Sequence, residues 1–284
     1  MHRAGLDTST AKLQAVTAAL TVCVVAVTWI AASSLLDDRT PTERGLVVAL
    51  APLAERPPDQ VGLVVLGTSL SHYAMLSHET LSAALTDAAG RKVAAANLSV
   101  NGADIGSYER VLDDIWLAKP DILVLQVELF RPVGFNQPDR SMRTRVTRWF
   151  EGVGPESYKS GPCRSRFGER ALERNANQFE RLRMGEEDVK RMRMFLEVAT
   201  RNVETVVWLA PPRPQEITDA AMGLDLEIRA DVLDAAADFE LVPPFESEPP
   251  PLEDYCDFDH LSQDGAERYL AQWALSLQPL LAAS

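Results

Sequence analysis

The chain has 284 residues, of which 46% are hydrophobic and 24% are charged, and its formal net charge at pH 7 is -13. This composition is that of a folded globular protein and excludes an intrinsically disordered chain. The acidic balance also argues against nucleic acid as the main partner, because phosphate binding requires a basic surface.

The cysteines and histidines of the sequence do not follow the spacing of a metal site. The three cysteines are Cys23, Cys163 and Cys256, and the four histidines are scattered along the chain. Zinc ligands normally occur in closely spaced pairs, which these residues do not form. We therefore expect neither a metal nor a cofactor.

The first predicted element is a membrane-spanning helix. Residues 1–12 are polar, whereas residues 13–36 carry no charge and are rich in Ala, Val, Leu and Ile. About 20 apolar residues suffice for a helix to cross a bilayer, so we expect an uncleaved signal-anchor. The flanking charges favour residues 1–12 as a cytoplasmic tail and an extracytoplasmic position for the rest. A cleaved signal peptide and a buried helix are the alternatives.

Residues 37–60 contain several prolines and are predicted to form a linker that includes a short helix. The globular domain is predicted to span residues 61–284. Within it, short apolar strands alternate with helices, which is typical of a parallel sheet built from βαβ units. The predicted strands are 62–66, 93–98, 121–127 and 204–209, with a last one beginning at 241. The predicted helices are 72–89, 105–118, 169–201, 218–239 and 261–281.

Residues 130–168, approximately, are predicted to be an insertion over the carboxyl edge of this sheet. The segment contains Gly, Pro, aromatic residues and a basic cluster, namely Arg140, Arg143, Arg145 and Arg148. Long irregular segments in compact domains are often functional. The segment could be a lid or a contact for anionic glycan or lipid head groups, and a solvated surface loop is the alternative.

Ser69 is the first candidate for chemistry. A short apolar strand ends at Gly67-Thr68-Ser69, so Ser69 is predicted just beyond the carboxyl end of a buried strand. Open α/β sheets bind ligands at that edge. A helix beginning after Ser69 would supply backbone N–H groups suited to a developing oxyanion. A plain strand–turn–helix corner with Ser as the N-cap is the alternative.

The second candidate stretch carries Asp257 and His260, three positions apart just before the last predicted helix. A nucleophilic Ser requires a base, and the base requires an acceptor that orients its ring. Ser69, His260 and Asp257 can supply these roles. Asp259 is a rival orienter with poorer geometry, because it directly precedes His260. An exposed His in a helix-capping turn is the alternative.

Three motifs together resemble the SGNH (GDSL-type) hydrolase family over approximately residues 61–281. They are Gly67-Thr68-Ser69-Leu70-Ser71, Asn97-Leu98-Ser99-Val100-Asn101-Gly102 and Asp257-x-x-His260. The resemblance implies a three-layer α/β/α sandwich with a parallel, flavodoxin-like sheet. It also implies a catalytic triad of Ser69, His260 and Asp257. The backbone N–H groups of Ser69 and Gly102 would then form part of an oxyanion hole.

The chain departs from the family at the third motif, where Gly-x-Asn-Asp is replaced by Gln126-Val127-Glu128-Leu129. Glu128 thus stands where an Asn would donate to the oxyanion. An ionised carboxylate only accepts hydrogen bonds, and losing one donor costs on the order of 3 kcal/mol in the transition state. Glu128 could instead pair with an arginine such as Arg131, Asn101 could donate in place of the missing Asn, or the catalyst could be weak.

The chain also resembles membrane-anchored members of this family that acylate cell-envelope polymers. Similar departures at the third motif occur in those proteins. The resemblance implies an esterase or O-acyltransferase that acts on acyl esters of an envelope glycan, lipid or polymer. The alternative is a weak or inactive accessory protein of the same fold that binds a glycan or envelope partner. A nucleotide binder is disfavoured, because Gly67-Thr68-Ser69 is too short for a phosphate loop.

A disulfide bond between Cys163 and Cys256 is a further possibility. Both residues lie outside the predicted membrane span, and an oxidising compartment permits the bond. It would tie the insertion to the loop that carries His260, but a sequence alone does not fix the Cα separation that the bond requires.

Overall fold

The computed structural model divides the chain into two compact units, Met1–Thr40 and Pro41–Ser284. It describes residues 16, 19–25, 39–130, 185–213, 230, 232–239, 241–245, 250–256 and 260–283. Residues 16 and 19–25 of the first unit are helical. Within these described ranges, no helix combines the length and the apolarity needed to cross a bilayer. Most of the predicted span at residues 13–36, and nearly all of the predicted insertion at 130–168, lie outside the described residues.

The second unit begins with two short helices, α1 (Pro41–Ala49) and α2 (Ala51–Ala54). Leu46, Leu50 and Leu53 are buried in the core. The prediction of a linker over residues 37–60 is therefore wrong from Pro41 onward. The physical reason is the helical spacing of these leucines, which lets one face of the segment pack on the sheet.

The rest of the second unit alternates strands and helices. The strands are β1 (Val61–Leu66), β2 (Val93–Asn97), β3 (Ile122–Gln126) and β4 (Thr205–Leu209). The helices are α3 (Ser69–Ala74), α4 (His78–Ala89), α5 (Leu112–Leu117), α6 (Glu186–Asn202), α7 (Gln263–Ser276) and α8 (Gln278–Ala283). Short 3₁₀ helices cover Ile105–Tyr108, Val127–Phe130 and Leu252–Asp254.

All strand pairs are parallel, and the strand order is β2-β1-β3-β4. Val242 adds a parallel bridge to Val207 of β4, in the position of a further strand. This is the order of a flavodoxin-like sheet, as the resemblance implies. The order reverses between β1 and β3, and ligands bind at the carboxyl ends of the strands beside such a reversal.

The sheet lies between two layers of helices. In β1, Val64 and Leu66 face the core shared with α1, α2, α5 and α6. Leu63 and Val65 face the opposite core, shared with α3, α4, α7 and α8. All residues of β1 are buried, as expected for a strand covered on both faces. The predicted three-layer α/β/α architecture is confirmed for the described residues.

Three predicted helices are each divided in the structure. The predicted helix 72–89 becomes α3 and α4, because Leu76 adopts a left-handed φ of 56° and Ser77 then caps α4. The predicted helix 105–118 becomes a 3₁₀ turn followed by α5, and 261–281 becomes α7 and α8. Pro279 stands in the first turn of α8, where its missing N–H is tolerated.

Candidate active site

Ser69 is the first residue of α3 and lies just beyond the carboxyl end of β1, as predicted. The N-cap of α3 is Thr68, whose Oγ1 accepts a hydrogen bond from the Leu70 N–H at 3.3 Å. The alternative in which Ser69 is merely the N-cap is therefore wrong. The Ser69 side chain is half-buried and is not needed to cap the helix.

Gly67 is required by close packing. A Cβ at Gly67 would lie 2.4 Å from the Ser71 side chain and 2.9 Å from Gln126 Oε1. Its φ lies outside the left-handed region, so backbone freedom is not the reason for glycine here. The turn that carries Ser69 therefore packs directly against Gln126 at the end of β3.

Gln126, the last residue of β3, is fully buried and bonds to this turn. Its Oε1 accepts from the Thr68 N–H at 2.7 Å, the Ser71 N–H at 3.3 Å and the Ser71 hydroxyl at 2.6 Å. The Leu70 N–H is bonded to Thr68. The N–H of Ser69, the remaining donor of this first turn, has no acceptor among the described residues.

Glu128 is buried, and its carboxylate is paired with neighbouring polar groups. It is 1% exposed, accepts from Gln126 Nε2 at 2.8 Å, and its Oε1 lies 3.7 Å from Arg213 Nη2. Arg213 follows β4 at the same edge of the sheet. The guanidinium of Arg213 thus places a permanent positive charge beside this carboxylate. Arg131, suggested from the sequence as the partner, lies outside the described residues.

The loop that carries Gly102 runs beside the Ser69 turn. Beyond β2 the ladder continues, with the Leu98 N–H bonded to Val65 O at 2.9 Å and the Val100 N–H bonded to Gly67 O at 3.0 Å. Gly102 has a φ of 70°, a conformation that glycine adopts without steric cost. Asn101 is exposed at the tip of this turn. The two backbone segments implied as oxyanion donors thus lie in neighbouring loops.

Tyr108, which is buried in the core, forms hydrogen bonds to both the Gly67 turn and the chain after β2. Its hydroxyl lies 2.7 Å from Gly67 O and 2.9 Å from Leu98 O, and it accepts from the Gly67 N–H at 3.3 Å. Burial raises the pKa of the Tyr108 phenol, so the hydroxyl remains a donor. No motif in the sequence pointed to this residue.

The loop that carries His260 is closed at its base. Tyr255 and Leu261 form an antiparallel bridge, and the Cys256 N–H donates to His260 O at 2.7 Å. The buried carboxylate of Asp254 makes a two-pronged ion pair with Arg268. Asp257 and Asp259 lie outside the described residues, so their roles stay predictions.

The His260 ring packs on Tyr73 of α3. The two ring centroids are 4.8 Å apart with an angle of 57° between the planes. Ser69 and Tyr73 are four residues apart on the helix and therefore share one face. Nε2 of His260 is buried. The structure thus places the imidazole of the final loop against Tyr73, four residues after Ser69 on α3.

Tyr73, Gln126 and Arg213 were not predicted as parts of the site. Gln126 had a signal in the sequence, because an amide at the end of an apolar strand must find buried partners. Arg213 had a weaker signal, because it is a charged residue that follows a predicted strand and two prolines. Nothing in the sequence distinguished Tyr73.

Cys256 is disulfide-bonded, whereas Cys23 is free and exposed. Cys163 lies outside the described residues, so the predicted pairing of Cys163 with Cys256 stays a prediction. In the part of the chain that is described, no group of three or more His, Cys, Asp or Glu side chains could hold a metal ion.

The chain matches no protein-family model, and no curated protein is significantly similar to it. Several solved structures resemble it at low identity. An α/β hydrolase from the metagenome of Lake Arreo is 14% identical, with a TM-score of 0.46 over 78% of this chain and 96% of that chain.

An acetylxylan esterase from Geobacillus stearothermophilus is 11% identical, with a TM-score of 0.43 over 78% of this chain and 95% of that chain. A lipase/acylhydrolase from Enterococcus faecalis is 15% identical, with a TM-score of 0.43 over 78% and 97%, respectively. At these identities and TM-scores the likenesses assign neither a family nor an activity to this chain.

Proposed function

We propose that the protein is a serine esterase or O-acyltransferase of the SGNH type, with Ser69 as the nucleophile and His260 as the general base. The observation that supports this most strongly is the packing of His260 on Tyr73. It joins the final loop to the helix that begins with Ser69. A hydroxyl and an imidazole on one helix face are the minimum that acyl transfer by this route requires.

In the proposed reaction, Ser69 Oγ attacks the carbonyl carbon of an ester while its proton passes to His260. The tetrahedral intermediate collapses, and the C–O bond to the alcohol breaks as His260 returns the proton to the leaving oxygen. An acyl-enzyme remains. Water or a sugar hydroxyl, activated by His260 in the same way, then takes the acyl group and restores Ser69. Asp257 is proposed to orient the imidazole.

The oxyanion is proposed to bind the backbone N–H groups of Ser69 and Gly102. The hydrogen bonds of the α3 first turn support this, since its other N–H groups are bonded to Gln126 and Thr68. Glu128 contributes no donor, because its carboxylate accepts from Gln126 and pairs with Arg213. Compared with a hole of three donors, the barrier would be higher by on the order of 3 kcal/mol unless Asn101 donates.

The proposed substrate is an acyl ester of a cell-envelope glycan, lipid or polymer. We further propose that residues 13–36 anchor the chain in the membrane with the catalytic unit on the extracytoplasmic side. The uncharged run of 13–36 supports the anchor. The disulfide bond of Cys256 is consistent with an oxidising compartment.

Hydrolysis of p-nitrophenyl acetate and of an O-acetylated oligosaccharide by the full chain tests the proposal. We expect Ser69→Ala and His260→Ala each to lower kcat by at least about 10³-fold. Ser276→Ala, which removes a hydroxyl that bonds locally to Trp273 O in α7, is the matched control and should retain activity. Equal rates in Ser69→Ala and the natural chain would refute the proposal.

The acceptor distinguishes hydrolysis from transfer. Adding an unacetylated oligosaccharide to the same assay should yield an acetylated product, detectable by mass, if the protein is a transferase. Free acetate as the sole product would identify a hydrolase.

The second candidate is an accessory protein that binds a glycan or envelope partner without turnover. The observation in its favour is the buried, paired carboxylate of Glu128 at the position of an oxyanion donor. Under this hypothesis the natural chain binds the oligosaccharide but releases no acetate, and Ser69→Ala leaves the binding constant unchanged.

A further inference from the structure

The amide of Gln126 occupies the junction between β1 and β3, where the strand order reverses. It is fully buried, and each of its polar atoms has partners. Oε1 accepts from Thr68 and Ser71, and Nε2 donates to Thr68 Oγ1 at 2.9 Å and Glu128 Oε2 at 2.8 Å. These bonds reach the residues on both sides of Ser69.

The chemistry of the partners fixes which way this amide faces. Backbone N–H groups can only donate, so the oxygen of Gln126 must face Thr68 and Ser71. An ionised carboxylate can only accept, so the nitrogen must face Glu128. Arg213 Nη2 lies 3.7 Å from Glu128 Oε1, so a permanent positive charge stands beside that carboxylate. A flipped amide would set donor against donor and acceptor against acceptor.

We propose that Gln126 is a positioning residue for Ser69, and that Glu128 together with Arg213 fixes the orientation of its amide. This inference rests on the proposed function and explains why a carboxylate replaces the expected Asn at residue 128. The carboxylate is retained to orient the amide that holds the nucleophile turn. In this proposal, backbone N–H groups bind the oxyanion.

The first test is Gln126→Leu, which fills the same space without polar atoms. The buried N–H groups of Thr68 and Ser71 lose their acceptor, so the turn relaxes and Ser69 shifts from its attack position. Misplacement of a reacting group by about 1 Å can cost about 10²-fold, so we expect kcat on p-nitrophenyl acetate to fall by that factor. KM should change little, because Gln126 does not touch the substrate.

The second test exchanges the two polar groups. Gln126→Glu alone sets two carboxylates side by side, so activity should fall as the pH rises and the proton they share is lost. Combining Gln126→Glu with Glu128→Gln restores one carboxylate and one amide in contact, with an acceptor again facing Thr68 and Ser71. We expect this double variant to recover most of the kcat and to lose the new pH dependence.

Amide hydrogen exchange provides a readout that does not depend on catalysis. In Gln126→Leu, exchange at Thr68 and Ser71 should accelerate, and in the double variant it should return towards the natural rate. Val124→Ala is the matched control. It removes volume from the same strand without removing a hydrogen-bond partner of the turn, so it should lower stability while kcat and the exchange of Thr68 and Ser71 stay unchanged.

The outcomes separate the two proposals. Suppose that the natural chain cleaves no ester, but that amide exchange at Thr68 and Ser71 accelerates in Gln126→Leu and recovers in the double variant. The proposed function is then refuted, whereas the positioning of the turn by Gln126 is supported. If exchange is unaffected, or if kcat falls equally in Gln126→Leu and Val124→Ala, the positioning role is refuted.

Discussion

At the scale of single residues, Glu128 and Arg213 form a buried ion pair. Both side chains are almost completely buried, and their charged atoms are 3.7 Å apart. Removing one member of a buried ion pair leaves the other charge uncompensated, which typically costs roughly 3–5 kcal/mol. We therefore expect Arg213→Met to lower the free energy of unfolding by about this amount, measured by urea denaturation.

The double variant Glu128→Gln with Arg213→Met is the control for that measurement. It removes the uncompensated charge, while the amide oxygen introduced at position 128 can still accept from Gln126, so its loss of stability should be clearly smaller. An Arg213→Met variant as stable as the natural chain would show that the pair is not formed.

Tyr73 offers a second prediction for a single residue. Its ring packs on the ring of His260, and such aromatic contacts contribute about 0.5–1.5 kcal/mol. Tyr73→Ala should free the imidazole to rotate and lower kcat on p-nitrophenyl acetate by about tenfold. Tyr73→Phe keeps the ring and should keep the rate. A loss in the Phe variant as large as in the Ala variant would assign the effect to the hydroxyl and contradict this account.

At the scale of the elements, the contact between α4 and β2 includes a titratable group. The first residue of α4, His78, accepts a hydrogen bond at Nδ1 from the Asn97 N–H at the end of β2, 2.9 Å away. Burial lowers the pKa of His78 below its ordinary value of 6.5, outweighing the opposite effect of Glu79. The unfolded chain therefore binds the proton first as the pH falls. This contribution to stability is fully present above about pH 6.5 and is lost as the pH falls towards the folded-state pKa.

His78→Gln retains an acceptor for the Asn97 N–H and does not titrate. We expect the stability difference between the natural chain and His78→Gln to shift against the natural chain as the pH is lowered from about 8 to about 5. Urea denaturation at several pH values measures this difference. A difference that is constant with pH would show that His78 has the same pKa in both states.

Element boundaries were the part of the fold that the sequence predicted least well. The strands were predicted closely, because short β-branched runs have few other structures available. The division between α3 and α4 was missed, because it depends on a left-handed Leu76. That conformation is supported by a tertiary bond from Asn97 Nδ2 to Leu76 O at 3.0 Å. Local patterns contain no information about such distant partners.

For the molecule as a whole, the edge formed by the amino ends of the strands and the edge formed by their carboxyl ends have different roles. At the amino edge, the Arg56 guanidinium contacts Asp121 and a set of backbone carbonyls: Leu53, Gln60, Ala118 and Lys119. A Cβ at Gly62 would lie 2.6 Å from this guanidinium. Interactions at this edge join the helical layer to the sheet, and they are far from the candidate site at the carboxyl edge.

A pair of glycine variants tests this division. Gly62→Ala should lower the free energy of unfolding by about 1–3 kcal/mol through overpacking and leave kcat unchanged. Gly67→Ala, which crowds Ser71 and Gln126, should have a similar cost in stability and also lower kcat by about 10²-fold. If Gly62→Ala impaired kcat as strongly as Gly67→Ala, the two edges would not be functionally distinct.

The sequence allowed prediction of the architecture and of the position of Ser69 beyond the carboxyl end of β1, because short buried strands and their polarity can be recognised locally. The triad of Ser69, His260 and Asp257 stays a prediction. The contacts of Gln126 and Glu128 could not be predicted, since they depend on which strands are neighbours and on the exact packing of the turn. The helices from Pro41 onward were not predicted, because several prolines in one segment are typical of a linker. Here Pro41 begins a helix instead.

The central claim, that Ser69 is a nucleophile activated by His260, is tested most directly by a fluorophosphonate probe on the full chain, with the adduct mapped by peptide mass spectrometry. We expect one adduct, on Ser69, that is absent in Ser69→Ala and forms much more slowly in His260→Ala. A natural chain that remains unmodified, or an adduct that persists in Ser69→Ala, would contradict it.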